Sequence, residues 1–310
     1  MHASSGDLSP IIREILFVDD GSTDATPEVL RKFLKSSDGF GATEIRVVTL
    51  PQNQGRYRAR LAGARAATGS QLLFLDTRLQ VGEKFFSNLA QIASQYSCAQ
   101  GVVDIDTQRS VYALYWDRSH RFLFRKHYRD TQTPLTLTQE NFDQYLKGTG
   151  VFWVNRDVFI RTCESFGSEN LLSDDTYLMK EILKSTPITI HPDLRILWYP
   201  RETAFDFLAR LISRGPGTVE YHVYQHRGWI FKWILAGILG LIAWLIAVFW
   251  FPQWAGGALL AVLAIVPLSA GLFARSFGEW IKIAPLHLAA FLAFGSGILY
   301  GLIKARRQSS

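Results

Sequence analysis

Hydrophobic and polar positions change regime partway along the chain. Before Lys232 charged side chains are scattered throughout, whereas none occurs from Trp233 to Ala274 or from Ile283 to Ile303. A helix needs roughly 20 apolar residues to cross a hydrocarbon core about 30 Å thick. Trp233–Phe251 (233–251), Trp254–Ala274 (254–274) and Ala284–Ile303 (284–303) each reach that length, so three membrane segments are predicted. Trp229, Trp233, Trp250, Trp254 and Trp280 fall near their ends, where an indole prefers the headgroup layer, and Pro252-Gln253 marks a turn between the first two. The alternative for such runs is a buried helical hairpin in a soluble protein. The chain therefore divides into a soluble domain over 1–226 and a helical membrane anchor over 227–310.

The soluble part alternates shorter patterns. Glu14 to Asp19 reads as a buried strand followed by the loop Gly21-Ser22-Thr23. Thr26 as N-cap, Pro27 at the first helical position and Glu28 in the first turn open a helix over Glu28 to Lys35. A strand over Glu44 to Leu50, a helix over Gln54 to Ala67 stopped by Thr68-Gly69, and a strand over Gln71 to Asp76 follow. This order implies an α/β fold with a parallel sheet covered by helices. Ligands bind such sheets at the carboxyl ends of strands, so Asp19, Asp20 and Asp76 are expected to converge on one crevice. Farther on, Gly101–Ile105 and Gly150–Val154 are strand candidates, Asp174–Leu183 a helix, and Ala204–Ser213 an amphipathic helix.

Charge refines this division. Of the net +6, Arg201, Arg210, Arg214, Arg227 and Lys232 lie in the run entering the first membrane segment, where a cytosolic leaflet attracts them. Met1 to Pro10 lacks the apolar core of a secretory signal, and two cysteines, Cys98 and Cys163, make no disulfide framework; both point to a cytosolic soluble domain. Three full crossings would nevertheless carry Lys304, Arg306 and Arg307 to the far side, which leaves a re-entrant or interfacial segment as the alternative. Arg118 to Arg129 interleaves basic residues with Phe122, Phe124 and Tyr128. It reads either as an element meeting anionic headgroups or a lipid phosphate, or as a solvated helix face; no nucleic-acid-binding module accompanies it.

Several motifs now line up in one order. Ile15-Leu16-Phe17-Val18-Asp19-Asp20-Gly21-Ser22-Thr23-Asp24 is followed by Asn53-Gln54-Gly55 with Arg58 and Arg60, then Phe74-Leu75-Asp76-Thr77-Arg78, then Leu172-Ser173-Asp174-Asp175-Thr176-Tyr177, and last Phe207-Leu208-Ala209-Arg210 with Arg214-Gly215-Pro216-Gly217. From Glu14 to about Gly217 the chain resembles family-2 glycosyltransferases, whose fold is called GT-A. The resemblance implies a Rossmann-like nucleotide-sugar domain. Members ordinarily begin with one more strand before the Asp19-Asp20 strand, so the fold is expected to lack its first strand. Asp20 is similar to the carboxylate that accepts a hydrogen bond from the base, and Arg60 stands at the family's basic position on the nucleotide side.

Asp76 falls where the family places the first of two acids that hold a divalent cation, Mg²⁺ or Mn²⁺, against the donor diphosphate; Arg78 replaces the second. Hard cations want oxygen ligands, so Asp76 binds one with help from the diphosphate and water. Alternatively Arg78 neutralises the phosphate directly, or the site has degenerated. Asp175 resembles the general base that takes the acceptor hydroxyl's proton, while helix capping by Ser173 is the plainer reading of that motif. Arg210 and Arg214 resemble a stretch that closes over donor phosphates, or they meet anionic lipid. The resemblance thus implies an inverting hexosyltransferase using a nucleoside diphosphate sugar, UDP-sugar favoured over GDP-sugar, with a polyprenyl phosphate or surface polysaccharide acceptor. The rival is a non-catalytic membrane partner that retains the fold.

Overall fold

The computed structural model describes residues 12–35, 42–166, 174–223 and 228–306. Leu172, Ser173, Arg227 and Arg307 lie outside them. The chain forms two compact units whose segments interleave: one comprises 1–104, 126–169 and 174–198, the other 105–125, 170–173 and 199–310.

The first unit opens with β1 (Glu14–Asp19), α1 (Thr26–Lys35) and β2 (Glu44–Thr49). β1 and β2 pair in parallel from Glu14 with Glu44 to Asp19 with Thr49, the geometry a strand–helix–strand unit produces. Thr26 opens α1 rather than standing before it, and the side chain of Asp24 accepts its backbone N–H at 2.9 Å. Next come α2 (Arg56–Ala66), β3 (Gln71–Leu75), β4 (Leu79–Val81), α3 (Phe85–Gln95) and β5 (Cys98–Ile105).

The second unit takes up the chain with α4 (Val111–Leu123), and the first resumes in α5 (Arg125–Asp130), β6 (Leu135–Leu137), β7 (Val151–Asn155), α6 (Arg156–Phe166), α7 (Asp174–Ile182) and β8 (Ile188–Trp198).

The expectation that β3 continues a parallel sheet with β1 and β2 is corrected. β3 belongs to a six-stranded sheet ordered β3-β7-β5-β8-β4, with β6 also on β8, and its pairing with β7 is antiparallel. Among the described residues β1 pairs with β2 alone. Local periodicity shows that β3 is a strand but not which distant strand offers its edge, and β7 lies far along the chain.

Alternation along these strands covers both faces. Phe152 and Val154 of β7 enter one core with Phe159, Met179 and Ile182, where Phe74 meets Phe159 at 4.5 Å between ring centres. Val151 and Trp153 turn the other way, to Phe85, Leu89 and Ile92 of α3. A side-chain period of two requires this. Gly101 sits where β5 meets β8 so closely that a Cβ would fall 2.2 Å from the Leu194 carbonyl oxygen.

The second unit continues with α8 (Ala204–Thr218), α9 (Gly228–Trp250), α10 (Pro252–Ser269) and α11 (Phe277–Arg306). Ser110 caps α4 and Thr203 caps α8 through their hydroxyls. Two of the three predicted membrane segments are long, apolar helices, Ile230–Trp250 and Phe277–Lys304, while the apolar stretch between them, Gly256–Leu272, is shorter. The basic stretch 118–129 is broken between α4 and α5 at Phe124. Arg118 is buried, and with Arg121 it binds Asp117, so neither belongs to a solvated basic face.

Candidate donor and acceptor site

α2 links two acidic loops. Asp20, just past the end of β1, accepts the backbone amides of Gln54 and Gly55 on its two oxygens, each at 2.8 Å. Asp19 is buried and accepts the amide of Ser22 at 3.0 Å, which closes the Gly21 turn. Gly21 has φ +67°, and a Cβ there would strike Gln52 at 2.4 Å, so this turn needs glycine. The acids thus fix where α2 begins.

One turn into α2 stands Arg60, mostly enclosed at 13% exposure. Its Nη1 donates to Asp175 Oδ1 at 2.7 Å and its Nη2 to Asp76 Oδ1 at 3.3 Å. Thr149 Oγ1 donates to the same Asp175 oxygen at 2.9 Å. Asp76 leaves the end of β3 half exposed, and its backbone N–H is held by the Gly150 carbonyl at 3.0 Å. A Cβ on Gly150 would come 3.1 Å from Asp76 Oδ2, so the glycine keeps that carboxylate open. Arg78 is exposed beside it.

Burial raises the pKa of Asp175, but Arg60, Arg56 and the Thr149 hydrogen bonds outweigh it and hold the carboxyl below its ordinary value. Its place in the first turn of α7 adds the favourable end of a helix dipole. The structure therefore gathers Arg60, Asp76 and Asp175 and ties Asp20 to the same helix. Sequence reasoning places Gly150 only as the start of a strand and misses Thr149 and Arg56 as site residues; Gly148 and Gly150 flanking Thr149 are the available signal of a turn entering that strand. Arg210 and Arg214 stand on α8 of the second unit, where the Arg214 guanidinium lies 4.5 Å above the Trp116 ring.

Among the described residues no three His, Cys, Asp or Glu side chains are grouped to hold a metal. Asp76 offers one open carboxylate, with the Arg60 guanidinium already on it. These residues fit a hard cation only if a diphosphate and water bring most of the oxygens.

Residues 8–159 match the family model Glycosyl transferase family 2. A stretch of 113 residues, 36% of this chain, is 29% identical to an undecaprenyl-phosphate 4-deoxy-4-formamido-L-arabinose transferase of Pectobacterium atrosepticum and spans 33% of that protein's length. Over 71 residues, 23% of the chain, it is 41% identical to polypeptide N-acetylgalactosaminyltransferase 5 of Rattus norvegicus, 7% of that protein's length. The matched stretches thus span a third or less of these relatives. Among solved structures, the mannosyltransferase PcManGT from Pyrobaculum calidifontis, in complex with GDP-Man and Mn²⁺, aligns over 91% of this chain and 77% of its own at 17% identity and a TM-score of 0.51, a likeness of fold. Residues 8–159, which hold Asp20, Arg60 and Asp76, match glycosyl transferase family 2, and the chain has the GT-A fold.

Proposed function

We propose that the protein transfers a hexose from a nucleoside diphosphate sugar to a membrane-associated acceptor, with inversion at the anomeric carbon. The observation that carries this reading is the Arg60 fork, which holds a strand-end acid, Asp76, and a helix-start acid, Asp175, on the two sides of one guanidinium. Direct displacement needs charge stabilisation on the leaving side and a base on the acceptor side. Asp76, Arg60 and Arg78 are assigned to the donor diphosphate, and Asp19 and Asp20 to the nucleoside loop.

Asp175 takes the acceptor hydroxyl's proton on its carboxylate. Arg60 keeps the carboxylate ionised and oriented, and its fork is shared with the phosphate oxygens when donor binds. A divalent cation, Mg²⁺ or Mn²⁺, would be held by Asp76 and the diphosphate, and would neutralise charge developing on the leaving group.

The acceptor is proposed to be lipid-linked, as in the undecaprenyl-phosphate transferase it resembles. The apolar helices support a membrane location, and the donor and acceptor site is proposed to face the cytosol. The solved relative carries GDP-mannose, so the expected preference for uridine finds no support there.

Calorimetric titration of the detergent-solubilised protein with UDP, GDP and dTDP, each with and without Mn²⁺, tests the donor assignment without knowledge of the acceptor. Selective binding of one nucleotide is expected. A folded sample that binds none would favour the non-catalytic partner, the reading that Arg78 in place of an acid supports.

A further inference from the structure

α11 is long and apolar enough to cross a bilayer, yet its protein-facing side is committed along most of its length. Near its start Arg118 of α4 donates to both oxygens of Glu279, at 2.9 and 2.6 Å. Two turns on, Tyr115 Oη meets His287 Nδ1 at 2.8 Å. Farther along, α8 closes to backbone contact. A Cβ on Gly297 would fall 2.2 Å from the Ile212 carbonyl oxygen, one on Gly215 would fall 2.1 Å from the Gly297 carbonyl carbon, and one on Gly301 would fall 2.8 Å from Pro216 Cα.

Glu279 to Gly301 measures about 33 Å at 1.5 Å per residue, the thickness of a hydrocarbon core. Were α11 to stand across the membrane, α4 and α8 would have to stand across it too. They would take Asp117, Arg118, Arg121, Asp206, Arg210 and Arg214 toward or into hydrocarbon, a costly placement.

The remaining surface of α11 has two sectors. Phe277, Ile281, Leu292, Leu299 and Ile303 are exposed along one stripe. Beside it on the helix, Lys282, Ser296, Tyr300 and Lys304 are exposed on a small and polar flank. Protein on one side, an apolar stripe on another and a polar flank between them is the pattern of a helix lying in a membrane surface. Arg275, Lys282 and Lys304 border the stripe with positive charge, which suits anionic headgroups. α9 differs: it carries no charged residue after Lys232, and 6% of its most apolar stretch is buried against 22% for that of α11.

We propose that α11 lies in the plane of the bilayer surface, its Phe277–Ile303 stripe in the acyl layer of an anionic leaflet, and that only α9 and α10 enter the membrane. Both ends of α11 then face the same compartment as Arg201. Lys304 stays on the side of the basic juxtamembrane run, and the charge conflict of three crossings disappears. The inference rests on the membrane location proposed above.

Arg275→Cys, Ser296→Cys and Lys304→Cys, each in the otherwise native chain, are treated with a membrane-impermeant maleimide in sealed vesicles of known orientation and in intact cells. The native chain, whose Cys98 and Cys163 are buried, supplies the blank. All three positions are expected to react from one and the same side. Reaction of positions 275 and 304 from opposite sides, with position 296 silent, would overturn the in-plane helix while leaving the membrane location intact. Recovery of the native chain in the soluble fraction would overturn both.

Discussion

Arg60 and Asp175 face each other across 2.7 Å, a guanidinium from the second turn of α2 on a carboxylate from the first turn of α7. Nothing in the local sequence of either helix demands the other. Together they hold the carboxylate of the proposed base ionised and positioned, with Asp76 on the far arm of the same fork.

The first prediction concerns this base. Asp175→Asn keeps the shape and the Thr149 contact but cannot take a proton, so kcat should fall roughly 10²- to 10⁴-fold, the usual worth of general base catalysis. Nucleotide affinity by calorimetry should stay near that of the native protein. Retained turnover would remove Asp175 from the mechanism.

A second prediction follows from the sign of its pKa shift. Burial raises the Asp175 pKa and Arg60 heads the groups that more than reverse this, so the native carboxylate stays ionised down through its ordinary range. Arg60→Gln withdraws the strongest lowering influence and leaves burial in place. The acid limb of kcat/KM should then move to higher pH, and an unmoved limb in a variant that still turns over would separate Arg60 from the base.

Glu14 offers a pH test of the fold. Burial raises its pKa, but hydrogen bonds from Arg46, Thr68 and Gly69 bring it down from 4.5 to about 2. A depressed carboxylate stabilises the fold fully above its unfolded value and loses that contribution as pH falls through the folded one. The difference in melting temperature between native protein and Glu14→Gln should hold at neutral pH and shrink from pH 4.5 toward 2. A constant difference would mean that Glu14 acts through packing alone.

The metal question turns on Arg78. Replacing it with aspartate supplies the second acid beside Asp76, so Arg78→Asp should bind Mn²⁺ more tightly in the presence of its nucleotide than the native chain does. Equal Mn²⁺ affinity in the two proteins would place the cation elsewhere.

Helix contact in the second unit gives the last test. At Gly297 a Cβ meets the Ile212 carbonyl at 2.2 Å, whereas at Gly240 nothing lies within 4 Å. Gly297→Val should cost about 1–3 kcal/mol or more by overpacking, seen as a lowered melting temperature, and Gly240→Val should melt like the native protein. Similar melting of both variants would contradict the close α8–α11 packing.

Much of this was legible in the residues themselves. The run Glu14–Asp19 ending in acids, the Gly21 turn, the stop at Thr68-Gly69 and the charge-free stretches are local patterns, and local patterns report strands, turns and apolar helices because backbone geometry and desolvation act residue by residue. The motif order pointed to the family, and with it to Asp20, Arg60, Asp76 and Asp175. Other features depend on residues distant in sequence. Only the fold pairs β3 with β7, closes the Arg60 fork on Asp76 and Asp175, brings Thr149 to Asp175, and withdraws Arg118 from solvent to Glu279. Length and hydropathy likewise mark α11 as able to cross a membrane, but what covers a helix is set by its neighbours, and Gly215 against Gly297 is a contact between backbones that hydropathy cannot express.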